Sequence, residues 1–180
     1  MINSDPVTNK YLNSEWFKGE DVLNKYEAFS LTVYELMRLM KLERLLALVD
    51  RTPNLKATLN TIGDTQFTIF APVNEAFEEF ERAGNGFKDD EEVKQFVYGH
   101  IVPTLVTVKG NGCVIGLSCL TGTRFINYDA TGPEVSIGGS TPLFGQRSKI
   151  KGSNGRIIPM RHVLKPQLAD KGERAALRAS

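Results

Sequence analysis

The chain is poor in the residues on which most protein chemistry depends. Its 180 residues include 2 His, 2 Cys and 1 Trp. Charge of one sign is lacking too: 22 Lys and Arg stand against 21 Asp and Glu, a net charge of +1. That balance excludes the strongly basic footprint of a nucleic-acid-binding domain and the acidic excess of a disordered chain. No apolar run approaches the roughly 20 residues of a membrane-spanning helix, the densest being 45–49. The opening MINSDPVTNKYLNSEWF has neither the basic start nor the apolar stretch of a secretory signal. An intracellular or organellar placement is therefore expected, or an extracellular one if a signal sequence preceding Met1 has been removed. The missing Asn-x-Ser/Thr sequon weighs against a secreted glycoprotein.

With 41% hydrophobic residues the chain can bury a real core, and its length suits one domain. Three segments are expected. Residues 1–29 form a polar N-terminal arm carrying Tyr11, Trp16, Phe17, Tyr26 and Phe29 without helical or strand periodicity. These rings either pack on their own domain or anchor in a partner, a role that Trp and Tyr fill well. Residues 30–166 form the domain, and 167–180 a polar tail rich in Arg and Ala.

Within the domain, Thr32-Val-Tyr-Glu35 has the form of a capping box, followed by Val33, Leu36, Met37 and Met40 at helical spacing. Leu42, Leu45, Leu46 and Val49 predict a second helix, and Pro53 ends the helical run. The alternation over 65–71 predicts a strand closed by Pro72, with Asn74 capping the helix that follows. Asp89-Asp90 caps another, whose face carries Val93, Phe96, Val97 and His100. From Pro103 onward short β-rich runs alternate with glycine: 105–108, 113–120, 124–128, 134–137, 157–160 and 162–164. Helices first and strands second make an α+β layout.

Catalytic constellations are hard to assemble. His100 sits on an apolar helix face, the setting of a satisfied core histidine more than of a general base. Cys113 and Cys119 have no neighbouring cation to activate a thiol, and C-x5-C with two scattered histidines is no zinc site. In an extended strand these cysteines lie roughly 20 Å apart, so they are either two inert thiols or a bridge formed through a bend at Gly116. Gly110, Gly112 and Gly116 miss the dinucleotide fingerprint and precede a β run. Adjacent acids such as Glu78–Glu79 point apart on a helix. No cofactor and no metal are expected, and no catalytic residue is assigned. Acids crowd 75–92, while Arg147, Lys149, Lys151, Arg156, Arg161 and Lys165 crowd 147–165 without an acid. The pattern is either two solvated faces or a dipole that steers a partner.

Three segments carry a resemblance. Thr68-Ile-Phe-Ala-Pro-Val-Asn-Glu-Ala-Phe77 resembles the first signature of the fasciclin domain, T-x-F-A-P-T-N-x-A-F. Tyr98-Gly-His-Ile-Val-Pro103 resembles its Tyr-His motif, and Asn154-Gly-Arg-Ile-Ile-Pro-Met-Arg-His-Val-Leu-Lys-Pro166 its second signature. Val73, Gly99, Pro159 and Arg161 depart from the usual residues, whereas the apolar positions persist. The resemblance implies a single domain of N-terminal helices packed on a wedge of short strands. Phe70, Pro72, Asn74, Phe77, His100, Asn154 and Gly155 then become its structural motif residues, with His100 tying its helix to the 70–74 turn. It also implies a non-catalytic protein–protein interaction module. The expected role is a scaffold, linker or accessory subunit of a multi-protein assembly, with secreted adhesion or matrix binding as the alternative. The partners implied are other proteins, with no nucleic acid and no membrane span.

Overall fold

In the computed structural model the structure describes residues 31–110, 112–120, 122, 124–145, 150–165 and 167–168. Among the described residues three helices come first, α1 (Val33–Leu39), α2 (Glu43–Arg51) and α3 (Leu55–Leu59), and α4 (Asn74–Arg82) and α5 (Asp90–Tyr98) follow the first strand. The strands are β1 (Phe67–Pro72), β2 (Ile101–Val102), β3 (Val114–Ser118), β4 (Arg124–Asp129), β5 (Ser136–Ile137), β6 (Ile150–Gly152), β7 (Gly155–Met160) and β8 (Gln167–Leu168). The α+β layout holds.

The capping box forms as the sequence predicts. The Thr32 hydroxyl accepts from the Glu35 amide and the Glu35 carboxylate accepts from the Thr32 amide, satisfying two donors that the first helical turn leaves over. Asp89 caps α5 by accepting from the Glu92 amide. Pro53 follows the end of α2, but the chain resumes one short helix, α3, which the sequence reading passed over.

Two sheets divide the strands. One runs β2-β1-β7-β6, the other β3-β4-β5 with β8 also pairing β4. At the centre of the first, β1 and β7 are parallel from Phe67↔Gly155 to Pro72↔Met160. A parallel pair covered on both faces needs apolar side chains on both, and all six residues of β1 are buried. Phe67, Ile69, Ala71 and Ile157 face the helices. Phe70, Ile158 and Met160 face the second sheet, where Ile126, Tyr128 and Ile137 meet them. The strand alternation predicted one buried face; the structure adds the other, between the sheets.

Several β-rich runs resolve differently. Residues 105–108 form a loop, not a strand. Its buried Val106 and Val108 point into the inter-sheet core, so its apolar spacing reflects packing alone. The loop's backbone is held by side chains instead of a ladder. Thr68 Oγ1 donates to the Thr104 carbonyl at 2.6 Å and accepts from the Val106 amide at 2.9 Å. Arg156 Nη1 donates to the Val106 carbonyl and the Thr107 hydroxyl, both at 2.8 Å. Residues 162–164 likewise form no strand, because the Leu164 amide is taken by a side chain. Conversely, β2 and β6 are strands too short to announce themselves.

Candidate functional site

His100 follows the Gly99 C-cap of α5 and is 1% exposed. The Leu164 amide donates to its Nε2 at 3.0 Å. That nitrogen must therefore carry the lone pair, so the proton sits on Nδ1 and is donated to the Phe96 carbonyl at 2.8 Å. Burial pushes the pKa of His100 down to about 4, against a weaker upward pull from the Phe96 carbonyl. The ring is neutral, fully hydrogen-bonded and shut from solvent. Its side chain ties α5 to the 162–165 segment, not to the 70–74 turn as the sequence reading expected. Contact with that turn comes from the backbone, where the Phe70 amide donates to the His100 carbonyl at 2.9 Å.

Asn74 is also corrected. The cap position of α4 is Val73, which offers no side-chain hydrogen bond, and Asn74 is the first helical residue. Its Oδ1 accepts from the Arg44 amide at 3.1 Å and its Nδ2 donates to the Lys41 carbonyl at 3.0 Å. Arg44 lies in the first turn of α2, whose own cap residue Leu42 makes no side-chain bond. Asn74 thus caps a different helix, α2.

Asn154 is 0% exposed. Its Oδ1 accepts from the Val33 amide at 2.8 Å, and its Nδ2 donates to the carbonyls of Leu59 at 2.7 Å and Thr61 at 3.0 Å. One amide thus joins the start of α1, the end of α3 and the turn before β7. Beside it, a Cβ on Gly155 would stand 2.1 Å from the Phe67 carbonyl oxygen, so only glycine lets β7 approach β1 there. Phe70 and Phe77 are buried in the two cores, and Pro72 closes β1 opposite Met160.

Cys113 and Cys119 are both free thiols. Cys119 is 2% exposed and donates weakly to the Gly99 carbonyl at 3.5 Å. Burial pushes its thiol up to about 12, despite the opposing charge of Arg124. Among the described residues no group of three or more His, Cys, Asp or Glu is placed to hold a metal ion, and no helix is long and apolar enough to cross a membrane.

Of these structural residues, His100 borders a concavity. Between α4, α5 and the 163–165 segment lies an open groove of about 430 Å³, with His100 beneath it. Its floor is aromatic. Phe96 sits 5.5 Å from Phe80 and 5.0 Å from Phe87, centroid to centroid, and 4.6 Å from the His100 ring. Glu91 and Glu92 of α5, Arg124 of β4 and Lys165 also line the groove. The sequence places Phe96 on an apolar helix face, yet it is only partly buried and, with Val163, lines this groove. The signal the sequence reading missed was the Phe80/Phe87/Phe96 spacing, which crosses the 84–86 break between two helices. The proposed anchors Tyr11, Trp16, Phe17 and Tyr26 lie outside the described residues, as do Arg147 and Lys149 of the basic run. Much of the acidic run is internally paired: Glu81 with Arg44, Asp90 with Arg51 and Glu79 with His162.

The sequence model of the fasciclin domain matches residues 40–166. The chain belongs to the fasciclin family. A solved fasciclin domain pair from the insect cell adhesion molecule fasciclin I is similar to it, with a TM-score of 0.53 and 19% identity. The match covers 75% of this chain and 48% of that one, so this chain spans about half the length of the pair. At such identity the likeness is one of fold. No curated protein sequence matches. Within this fasciclin domain both signatures lie at the junction of the two central strands: β1 and Asn74 come from the first, Asn154 and β7 from the second. The fasciclin domain is an adhesion and protein-interaction module.

Proposed function

We propose that this fasciclin-domain protein is a non-catalytic interaction module that serves as a scaffold, linker or accessory subunit of a multi-protein assembly. The aromatic groove carries this reading. Partly exposed Phe80, Phe87 and Phe96, with Glu91, Glu92, Arg124 and Lys165 also in the lining, suit an apolar segment of a partner protein that carries charges of both signs. Two of the candidate catalytic side chains are engaged inside the fold. Both ring nitrogens of His100 are bonded inside the fold, and burial holds the Cys119 proton in place. The arm at 1–29 would supply further anchors.

The test is in-cell cross-linking of the tagged full chain in its source organism, followed by purification. Partner proteins in fixed stoichiometry, cross-linked through Lys165 and lost from a Phe87→Lys variant that still folds, are the expected result. A chain that purifies without a stoichiometric partner would overturn the proposal. Surface adhesion is the second reading, drawn from the insect adhesion molecule that shares the fold. It is favoured if the chain is recovered at the cell surface or in the medium.

A further inference from the structure

Among the described residues the second sheet ends on an unpaired edge strand. Among the described residues strand β3 pairs with β4 alone, in an antiparallel register that sets Ile115 opposite Tyr128 and Leu117 opposite Ile126. Among those residues its outer edge is open from Val114 to Ser118, beyond which the Leu120 amide donates to the Ile101 carbonyl. The phase of the ladder is fixed at its ends, where Ala130 donates to the Cys113 carbonyl and Cys119 donates to the Arg124 carbonyl. In an antiparallel pair, hydrogen-bonded positions alternate with positions whose amide and carbonyl point the other way. Residues 113, 115, 117 and 119 therefore spend their backbone groups on β4, whereas Val114, Gly116 and Ser118 direct theirs outward from the sheet.

Natural edge strands are protected by Lys, Pro, a bulge or a covering element. The segment Val114-Ile-Gly-Leu-Ser118 has no charge and no proline. Val114 is 54% and Ile115 47% exposed, and both rank among the exposed large hydrophobic residues of the described chain. Gly116 between them is exposed as well.

We propose that β3 pairs with β3 of a second copy of this chain, antiparallel and centred on Gly116, so that the two sheets become one. The segment is its own complement. With the two-fold axis at Gly116, the outward amides and carbonyls of 114, 116 and 118 meet those of 118, 116 and 114 in the other copy. Glycine faces glycine at the axis, where no side chain intervenes. Ile115 falls beside Leu117 of the second copy on the inner face, giving an apolar cross-strand pair to a side chain that is now half in water. An uncharged segment meets itself without like-charge repulsion, a condition that charged strands from elsewhere in this chain do not meet. Only five residues are joined, so the contact is small and the dimer weak and concentration-dependent. This surface is separate from the aromatic groove.

Sedimentation of the full chain between about 10 and about 500 µM should give a reversible monomer–dimer equilibrium. Ile115→Lys, a change at an exposed site, should weaken dimerisation at least about tenfold, with an unchanged melting profile as the control for folding. Hydrogen exchange provides a second readout independent of any variant. The amides of Val114, Gly116 and Ser118 should gain protection as concentration rises, while those of Ile115 and Leu117 stay protected throughout. A chain that remains monomeric across this range overturns the proposal. So does a dimer indifferent to Ile115→Lys, or one lacking alternating protection along β3. Protection that appears only when a different protein is added assigns the edge to another occupant and overturns it equally.

Discussion

The backbone amide of Leu164 is bonded to the ring of His100, a residue 64 positions earlier. That bond decides the tautomer of the ring and fastens the segment leading to β8 against α5. A histidine used this way is a structural post whose charge state matters to folding.

Because the folded pKa of His100, about 4, lies below the ordinary 6.5, protons bind the unfolded chain preferentially between those values. Its contribution to stability is fully present above about pH 6.5 and is lost as pH falls toward 4. Chemical denaturation across that window should show stability falling with pH, and a His100→Asn variant should flatten the slope. His100→Ala leaves the Leu164 amide and Phe96 carbonyl unpaired and should cost about 1–3 kcal/mol. A variant that melts like the parent would contradict the structural role.

The two asparagines should separate clearly. Asn154→Ala strands three backbone groups, those of Val33 and Leu59 buried, and should cost about 3 kcal/mol. Asn74→Ala removes a cap at a half-buried site and should cost about 1 kcal/mol. Urea unfolding of both variants, with equal m-values, is the check.

The thiols should differ in reach and not in redox state. Alkylation of the native protein without reductant should modify Cys113 and leave Cys119 untouched until the chain unfolds, when both react. Mass spectrometry reads this directly; a two-dalton deficit with no alkylation would reveal a bridge.

Deletion of residues 1–25 should leave the domain folded while sharply weakening assembly with its partner. Ordering such an arm costs about 1–2 kcal/mol per residue in backbone entropy, a cost that aromatic anchors in a partner can offset. Circular dichroism and co-purification of the truncated chain test both halves. An unfolded truncation would place the arm on its own core.

Much of this was legible where one local rule dominates. The Thr32–Glu35 box, the Asp89 cap and the helical stripe of Val93, Phe96 and Val97 follow from spacing alone. Asn74 was read as a cap because a polar residue after a strand and before a helix usually is one. Its real partner, Arg44, is 30 positions away, and no local pattern marks such a bond. The 105–108 loop misled for a related reason: alternating valines report burial, and burial need not come with a ladder. The groove floor was hidden because Phe80, Phe87 and Phe96 come from two helices and the link between them.

The parallel pairing of β1 with β7 has a consequence for synthesis. Strands β3, β4 and β5 of the second sheet are spelled out between these two strands, and β8 only after them. A ribosome therefore releases the helices and β1 long before residues 155–160 exist to cover them. Until that late segment emerges, β1 offers an open edge on the side that β7 will fill, and Asn154 has yet to reach the start of α1. Nascent chains stalled ahead of it would be clients for a chaperone, and release from that chaperone would be timed by translation of the second signature.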